Sequence, residues 1–523
     1  MTETETIAPV LPAESARHKI LTLDKLAEAA GRLKAEDKSI VLCHGVFDLL
    51  HLGHVRHLEA ARREGDALVV TLTADKFVNK GPDRPVFAQD LRAEMLAALS
   101  CVDYVAVNHG PSAEPVLHAV KPDIYVKGSD YAQASEDVTG KIVSERDVVE
   151  SHGGQLVFTN DITFSSSALI NRYLQIYDPT LQDYLAGLRG GGALKTALDA
   201  LDNIKNCRVL LVGDAILDEY NYVVAMGKTP KENMIATHFR DREIFAGGVF
   251  AAANHVAGLC KEVDVLTLVG AGDPHNEVIA RTLKDNVRLK AIERDGATTT
   301  RKTRFIETGY SMRKLFETYY MDDSPMRADL QRRFDDILNR TVADYDCVIV
   351  TDFGHGLMTR SARDIVQEKS RFLAVNTQTN SANIGFNMIT KYRRADYVCI
   401  DNNEVRLAMQ DKFSHVGDIA ARQLPQAIDC KRLIITRGKE GCIGWDSETG
   451  LTEIPALTTT IVDTVGAGDA FLAVSSPIVA SGASIEIAGL IGNAAGALKV
   501  GIVGHRSSVE KAPLVKFLTS LLK

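Results

Sequence analysis

The chain has 523 residues, of which 45% are hydrophobic and 24% charged, and its formal net charge is −8. This length exceeds what one ordinary core accommodates, and the composition is typical of a globular protein of roughly two to four domains. Because no dense Lys/Arg run offsets the negative charge, we expect neither nucleic acid nor an anionic membrane as a partner.

Residues 1–18 are acidic and polar, and they predict a disordered leader because they lack the basic start and apolar run of a signal peptide. The eight cysteines form no CxxC pair, which favours buried thiols in a reducing compartment over disulfides or zinc. The most apolar region, 470–504, is interrupted by polar residues and predicts packed helices, not a membrane span. We therefore expect a cytoplasmic protein.

Short β-branched runs alternate with amphipathic helical stretches along the chain. In the first half these runs span residues 39–45, 66–75, 102–108, 123–128 and 153–160. In the second half they span residues 208–214, 263–270, 345–352, 371–377, 395–401 and 432–438. The alternation predicts an α/β protein with two doubly wound domains, each with a parallel sheet covered on both faces.

The three consecutive glycines at 190–192 interrupt this pattern. Glycine runs between polar stretches are typical of linkers. We therefore predict a first domain at residues 19–178, a linker at 179–205 and a second domain at 206–523.

The stretch HGVFDLLHLGH (44–54) runs from an apolar strand into a helix that we expect to begin near Leu52. His51 and His54 are three residues apart and can face the same way at this helix start. A helix N-terminus favours phosphate, and two imidazoles there can donate to phosphate oxygens during nucleotidyl transfer. Gly45 lets the backbone approach a ligand closely.

The string Gly-x-Phe-Asp-x-x-His-x-Gly-His resembles the signature of the cytidylyltransferase-like nucleotidyltransferases. That resemblance implies a Rossmann-like domain in which His51 and His54 stabilise the transferring phosphate. It also implies a metal-bound nucleoside triphosphate that loses pyrophosphate to a phosphorylated acceptor, with Gly45, Phe47 and Asp48 near the nucleotide.

Two further segments, 79–86 and 122–131, resemble the nucleotidyltransferase domain of the bifunctional heptose-phosphate enzymes, which make ADP-heptose for lipopolysaccharide. Lys80, Arg84 and Lys127 supply cations in these glycine-containing loops. Such cations are suited to a triphosphate or a sugar phosphate.

A serine run opens the last predicted helix of the first domain, at Ser165, Ser166 and Ser167. Hydroxyls and free N–H groups at a helix start can hold a phosphate. Many similar enzymes place an Arg shortly before the serines, whereas residues 160–162 here read Asn-Asp-Ile. The sequence therefore leaves open which cation serves this end of the site.

The second strong motif is VDTVGAGDAF (462–471). Gly466, Ala467 and Gly468 form a turn with little side chain, and we expect a helix to start near Asp469. Such a turn presents N–H groups to a transferring γ-phosphoryl group. Asp469 can take the proton from an attacking sugar hydroxyl.

This motif resembles that of the ribokinase (PfkB) family of carbohydrate kinases, and the resemblance covers roughly residues 206–515. Segments 212–220, 246–260, 436–442 and 492–501 match the same family. The resemblance implies a ribokinase-like domain with an anion hole at 466–468 and Asp469 as base. The further residues that it implies are the sugar contacts Asp214, Asp218, Gly247 and Gly248, and Asn493 on the nucleotide side.

Some positions depart from the heptose kinases, which usually have Asn where this chain has Ala251. They also often have Asp-Pro-Lys where residues 376–378 read Asn-Thr-Gln. These departures predict an altered sugar pocket. The Asn-x-x-Glu element linked to magnesium becomes Asp401-x-x-Glu404, whose oxygens still suit Mg²⁺ as ligands, directly or through water.

The leading hypothesis is a bifunctional enzyme of activated-sugar synthesis. Its kinase would phosphorylate a sugar phosphate with ATP, and the expected substrate is D-glycero-D-manno-heptose 7-phosphate at C1. The cations of segments 228–234 and 299–305 could hold the phosphate already on that sugar. Its transferase would join a nucleotidyl group, expected to be AMP from ATP, to a sugar 1-phosphate and release pyrophosphate.

Two alternatives remain open. The same folds could act on another sugar or polyol phosphate with CTP as the nucleotidyl donor. The second domain could instead be a silent sugar-binding or dimerising module. The known heptose enzymes carry the kinase first, the reverse of the order here. The sequence permits a homo-oligomer and fixes neither the sugar, the anomer nor the nucleobase.

Overall fold

The computed structural model describes residues 14–128, 141–159, 166–174, 176–309, 312–322 and 324–523. The chain divides into two compact units, Met1–Tyr177 and Asp178–Leu522. Among the described residues, no helix combines the length and the hydrophobicity needed to cross a bilayer.

The first unit is built on a six-stranded sheet in which every pairing is parallel. Its strand order is β1-β4-β3-β2-β5-β6, with β1 (Ile20–Leu21), β2 (Ile40–Gly45), β3 (Ala67–Thr73), β4 (Tyr104–Asn108), β5 (Ile124–Gly128) and β6 (Gln155–Thr159). The helices are α1 (Glu14–Arg17), α2 (Leu23–Ala35), α3 (Leu52–Arg62), α4 (Gln89–Ala97), α5 (Glu114–Val120), α6 (Lys141–Ser151) and α7 (Ser166–Tyr173).

The central strand β2 shows why this sheet is apolar on both faces. Val41 and Cys43 belong to one core with residues of α3 and α4, whereas Ile40 and Leu42 belong to another with residues of α2 and α5. Successive strand residues point to opposite faces, so a sheet covered on both sides needs continuous apolar runs. The strand order reverses between β2 and β5, which is where open α/β sheets bind ligands.

The second unit has a nine-stranded sheet in the order β11-β10-β7-β14-β15-β16-β17-β18-β19. Its strands are β7 (Arg208–Gly213), β10 (Glu262–Gly270), β11 (Val287–Arg294), β14 (Cys347–Asp352), β15 (Leu373–Thr377), β16 (Tyr397–Asp401), β17 (Arg432–Thr436), β18 (Cys442–Asp446) and β19 (Gly450–Ile454). The pairings are parallel except for β17 with β18 and β18 with β19. The predicted fold class is therefore confirmed in both units.

A smaller four-stranded sheet was not predicted. It has the order β13-β12-β8-β9, with β8 (Ala215–Lys228), β9 (Ile235–Gly248), β12 (Thr300–Glu307) and β13 (Arg313–Tyr320). We call it the lid sheet. Strand β8 follows β7 after a single residue, Asp214, so the lid sheet begins at the carboxyl end of a central strand of the large sheet.

Twelve helices complete the described part of the second unit. They are α8 (Pro179–Gly190), α9 (Ala193–Asn203), α10 (Val249–Ala257), α11 (Asn276–Thr282), α12 (Ala328–Thr341), α13 (Arg360–Lys369), α14 (Asn402–Met409), α15 (Val416–Asp418), α16 (Leu424–Ala427), α17 (Ala467–Ala480), α18 (Ile485–Lys499) and α19 (Lys511–Leu522). Helices α10, α17 and α18 pack together, and the core between α12, α13 and the sheet is a separate cluster.

The segment 179–205, which the glycine run predicts to be a linker, instead forms α8, α9 and a short 3-10 helix. That prediction is wrong because both α-helices are amphipathic and bury one face, with Leu181, Leu185 and Leu188 buried in α8. The glycines 190–192 serve only as the turn between the helices, where Gly192 has φ of 71°.

Phe334 on α12 is completely buried, whereas Phe386 in the same unit is 89% exposed. We expect Phe334→Ala to destabilise the second unit by about 3–5 kcal/mol, because it removes a large apolar side chain and leaves a cavity. Phe386→Ala is the matched control and should change stability by less than about 0.5 kcal/mol. The single tryptophan, Trp445, packs against the same core as Phe334 and gives the fluorescence signal for denaturant unfolding. Equal midpoints for the two variants would contradict this account.

Candidate active sites

The two motif histidines of the first unit lie together at the start of α3. His51 is the N-cap residue, and its Nδ1 accepts a hydrogen bond from the Gly53 N–H at 3.1 Å. The ring of His54 stacks on that of His51, with centroids 3.9 Å apart and 25° between the planes. Phe47 packs edge-on against His54 at 5.2 Å. The loop after β2 thus presents both imidazoles as one surface.

Burial sets the charge of these imidazoles. Burial, together with smaller contributions from the nearby His51 and Lys80, lowers the pKa of His54 to about 3. Burial also lowers the pKa of His51, again with a contribution from Lys80. Both rings are therefore neutral near pH 7 in the free protein, and each can donate one hydrogen bond to a phosphate oxygen.

The predicted cations of the first loop gather around Asp48, which is completely buried. Arg84 binds the Oδ2 atom of Asp48 through Nη2 at 2.5 Å and through Nε at 2.6 Å. The Nζ atom of Lys80 lies 4.0 Å from the same oxygen. Asp48 therefore holds these two cations in place, and its expected place near the nucleotide stays a prediction.

The serine helix reaches the same place. Helix α7 begins at Ser166, whose Oγ donates to the Leu49 carbonyl at 3.4 Å. Arg84 donates to the Oγ of Ser167 at 3.4 Å. Ser165 and residues 160–162 lie outside the described residues. Arg84, which comes from a different loop, thus lies beside the described serines of α7.

Lys127 has a different environment from that predicted. Its ammonium lies 3.0 Å from the Oε2 atom of Glu145 on α6, and both side chains are nearly buried. Tyr125 donates to the same carboxylate at 2.9 Å. Burial raises the pKa of Glu145, but Lys127 outweighs it and the net pKa is below the usual value. A buried ammonium needs a counter-charge, and Glu145 supplies it for Lys127. A phosphate would have to compete with Glu145 for this ammonium.

In the second unit, α17 begins at Ala467, two residues earlier than predicted. Its N-cap Gly466 has φ of 77°, a conformation that favours glycine. Asp469 lies in the first turn and is nearly buried, and its Oδ1 accepts from the Gln378 side-chain amide at 2.6 Å. Burial raises the pKa of Asp469. The motif thus places a carboxylate of increased basicity just behind the glycine turn.

Asp218 on β8 connects the lid sheet to this site. Its Oδ1 binds Arg304 on β12, and its Oδ2 lies 3.2 Å from the Nε2 of His505. Burial opposes ionisation of Asp218, but Arg304 and His505 outweigh it and lower its pKa. A Cβ atom at Gly247 would lie 2.0 Å from Oδ2 of Asp218, so any side chain there would displace this carboxylate from its present position.

Asp214 lies at the junction of β7 and the lid sheet. Its Oδ2 accepts from the N–H groups of Phe353 at 2.9 Å and His355 at 3.4 Å. Burial and the neighbouring Asp352 raise its pKa. A Cβ atom at Gly248 would lie 2.7 Å from the Asp214 carbonyl oxygen. Gly248 thus allows a close backbone contact, whereas the sugar contacts expected of Asp214 and Gly248 stay predictions.

The altered triplet 376–378 divides into two kinds of position. Asn376 is buried and donates to the Cys399 carbonyl at 2.7 Å, and Thr377 is buried as well. Only Gln378 reaches Asp469. Gln378 is therefore the residue of this triplet that contacts Asp469 directly.

The predicted magnesium pair forms a helix cap. Asp401 accepts from the Asn403 N–H at 2.8 Å, and Glu404 accepts from the N–H groups of Asp401 at 3.3 Å and Thr379 at 2.9 Å. This is a capping box at the start of α14. Burial raises the pKa of Glu404 to about 7. In the described parts of the chain, no cluster of three or more His, Cys, Asp or Glu side chains could hold a metal ion. The role expected of Asp401 and Glu404 at a magnesium ion stays a prediction.

Asn493 also has a structural partner, since its side-chain amide donates to the Pro455 carbonyl at 2.7 Å. Two residues that the motifs did not single out lie at the kinase-type site: His505 beside Asp218, and Lys499 beside the glycine turn. Asp463, the first residue of the Asp-x-x-Gly-Ala-Gly-Asp string, lies there as well, and its Oδ1 accepts from the Val465 N–H at 3.2 Å. His505 and Lys499 are far from the glycine turn along the chain, and only the fold brings them to it.

The comparison with family models agrees with this geometry. The pfkB family carbohydrate kinase model matches residues 208–512, which is more than half of the chain. The cytidylyltransferase-like model matches residues 42–172. The chain therefore belongs to the pfkB family of carbohydrate kinases and carries a cytidylyltransferase-like domain in front of the kinase domain.

Among curated proteins, the chain is similar to the bifunctional protein HldE of Trichlorobacter lovleyi, with 38% identity over 184 residues, 34% of this chain and 36% of that protein. It is also similar to the bifunctional protein HldE of Syntrophotalea carbinolica, with 39% identity over 163 residues, 31% of this chain and 32% of that protein. The chain thus spans about a third of the length of these relatives.

Two solved structures of phosphofructokinase-2 from Escherichia coli, one with potassium and one with substrates and products, share the fold with TM-scores of 0.50. They are 16% and 15% identical to this chain, and each covers 61% of this chain and 100% of the matched chain. At this identity the similarity shows the fold alone.

The lowered pKa of His54 makes the stability of the first unit depend on pH. The unfolded chain binds a proton near pH 6.5, whereas the folded protein does so only near pH 3. Stability is therefore lost as the pH falls through this window. We expect His54→Gln to reduce that slope by up to about 1.4 kcal/mol per pH unit.

Denaturant unfolding of the first unit between pH 7 and pH 4.5 measures this slope. The exposed His18 provides the matched control, because His18→Gln should leave the slope unchanged. If His54→Gln leaves the slope as steep as in the wild type, the neutral state of the stacked pair is refuted.

Proposed function

We propose that this chain is a bifunctional enzyme with two separate active sites, a nucleotidyltransferase and a sugar-phosphate kinase. The proposal is based on one observation: in each unit, the side chains suited to phosphate or proton transfer lie at the start of a helix. His51 and His54 lie at the start of α3, and Asp469 lies in the first turn of α17.

At the first site, an oxygen of a sugar 1-phosphate attacks the α-phosphorus of a nucleoside triphosphate, and the bond to pyrophosphate breaks. The neutral imidazoles of His51 and His54 donate to the oxygens on which charge accumulates. Lys80 and Arg84, already positioned by Asp48, neutralise the triphosphate. The positive end of α3 adds to the same field.

At the second site, a sugar hydroxyl attacks the γ-phosphorus of ATP, and ADP leaves. Asp469 takes the hydroxyl proton on Oδ2, while Gln378 holds Oδ1. The raised pKa of Asp469 makes it a stronger base than an exposed carboxylate. The N–H groups at residues 466–468 receive the transferring phosphoryl group.

We propose Mg²⁺ as the cofactor, which, bound together with ATP, would shield the phosphate charge in both reactions. The carboxylates of Asp401 and Glu404 are already used by backbone N–H groups. The two carboxylates therefore suit a Mg²⁺ ion that keeps its own waters and its phosphate ligands. Such an ion would contact the carboxylates through a water molecule and would not be coordinated by protein side chains alone.

For the substrates, we propose D-glycero-D-manno-heptose 7-phosphate, phosphorylated at C1, and AMP transfer from ATP. The loop cations Lys80 and Arg84 support this, as does the similarity to proteins named bifunctional protein HldE. On β12, Arg304 lies beside Asp218, and Lys302 is nearly buried next to it, so cations border the sugar side. This chemistry would serve ADP-heptose formation for lipopolysaccharide in the cytoplasm.

A second candidate keeps both reactions but changes the substrates to another sugar or polyol phosphate with CTP as donor. The observation that favours it is Ala251, a small apolar residue buried on α10 where heptose kinases usually have Asn. The two candidates differ in their products, which makes them separable.

Single substitutions should separate the two activities. We expect Asp469→Asn to reduce ADP formation by at least about 10²-fold because the base is lost, with pyrophosphate release unchanged. We expect His51→Ala to reduce pyrophosphate release by at least about 10²-fold and to spare ADP formation. Each variant is the control for the other, and both are measured on the full chain with sugar phosphates and ATP. Loss of both activities in either variant would refute two separate sites.

A product panel tests the substrates. The full chain is incubated with hexose and heptose phosphates and an equal mixture of ATP, CTP and GTP, and the products are identified by mass spectrometry. We expect a heptose bisphosphate from the kinase and an adenylylated sugar from heptose 1-phosphate. A cytidylylated product would support the second candidate instead. A wild-type protein that forms no ADP with any acceptor would refute the kinase proposal.

A further inference from the structure

The last residue of α18, Lys499, is a lysine with no exposed surface. Its ammonium donates to the Val465 carbonyl at 2.8 Å and to the Gly504 carbonyl at 2.7 Å. Lys499 has no part in the proposed kinase mechanism. A buried ammonium is costly unless oxygens and negative charge surround it, so its position needs an explanation.

The negative charge is supplied by the reaction site itself. The carboxylates of Asp463, Asp469 and Asp218 all favour the charged form of Lys499, although burial dominates and the net pKa of Lys499 is lowered. Asp463 accepts from the Gly504 N–H at 2.9 Å while Lys499 donates to the Gly504 carbonyl. Gly504 is thus held through both its N–H and its carbonyl, which belong to consecutive peptide groups, and the ammonium lies among oxygens of two loops.

One of these oxygens has a direct link to the glycine turn. Val465 immediately precedes Gly466, and in a planar trans peptide the C=O and N–H groups point in opposite directions. Because the Val465 carbonyl points at the ammonium, the Gly466 N–H points away from it. A Cβ atom at Gly466 would lie 3.3 Å from the Cε of Lys499, so the side chain also packs against the turn.

We propose that Lys499 acts as a built-in monovalent cation for the kinase site. Two backbone carbonyls and nearby carboxylates form the kind of oxygen environment that a potassium or ammonium ion occupies, and here the chain's own ammonium fills it. Lys499 is thus a positioning residue: it orients the first peptide of the anion hole and adds a fixed positive charge beside the transferring phosphoryl group. The proposal rests on the proposed kinase function.

The first consequence concerns the unaltered protein. Its kinase rate is measured at constant ionic strength in KCl, NH₄Cl and N-methyl-D-glucamine chloride, the last of which supplies a cation too large for the site. We expect rates within about twofold of each other. A requirement for potassium or ammonium ions, seen as a tenfold or greater loss in N-methyl-D-glucamine chloride, would overturn the proposal.

The second consequence concerns two variants. We expect Lys499→Met to lower kcat by on the order of 10- to 100-fold with little change in the KM for ATP, because the anion hole acts on the transition state. Lys499→Ala leaves space for a free ion, so KCl or NH₄Cl should restore at least tenfold of its lost activity. Lys369→Met, at an exposed lysine on α13, is the matched control and should behave as the wild type.

A separate readout distinguishes failure of this proposal from failure of the kinase function. The thermal midpoint of Lys499→Ala, followed by Trp445 fluorescence, should rise in KCl or NH₄Cl relative to N-methyl-D-glucamine chloride, while that of Lys369→Met should not. If the wild type forms no ADP, the kinase function fails, and this stabilisation still decides whether a cation replaces the ammonium. A folded Lys499→Ala protein that gains neither activity nor stability from these ions would overturn the proposal.

Discussion

Each of the two proposed sites lies at the N-terminal, positive end of its own helix, which begins beside the sheet of its unit. Helix α3 starts at Leu52 after the loop that follows β2, and α17 starts at Ala467 after the glycine turn. The unpaired N–H groups of such a helix start carry roughly half an elementary charge and attract anions. Because each start also carries its reactive side chains, the fold fixes the place of the phosphate and of the proton chemistry together.

The charged side chains around these helix starts are held by partners before any substrate binds. Asp48 holds Arg84, Asp218 holds Arg304, and Glu145 holds Lys127. Removing one partner of such a buried pair leaves an uncompensated charge and costs about 3–5 kcal/mol, so each partner keeps the other in place. Catalysis benefits from the same arrangement because groups that are already oriented need no reorganisation when charge develops.

The sequence predicted the large sheets and the motif residues because their signals are local. Buried parallel strands read as continuous apolar runs, and His51 with His54 or Gly466 with Asp469 lie within a few residues. The lid sheet had no such signal, since much of β9 and β13 is exposed and polar. The charged residues that pair with each other could not be predicted either, because they are far apart along the chain. Arg84 is 36 residues from Asp48, and His505 lies near the opposite end of the second unit from Asp218.

The altered triplet 376–378 bears more on the base than on the sugar. Asn376 and Thr377 are buried, and Asn376 supports the neighbouring strand through the Cys399 carbonyl. Gln378 contacts Asp469, the proposed base. A lysine at this position would lower the pKa of that carboxylate by adding positive charge, whereas the neutral amide preserves more of the increase that burial causes. Under the proposed mechanism, the departure at residue 378 therefore bears on the basicity of Asp469.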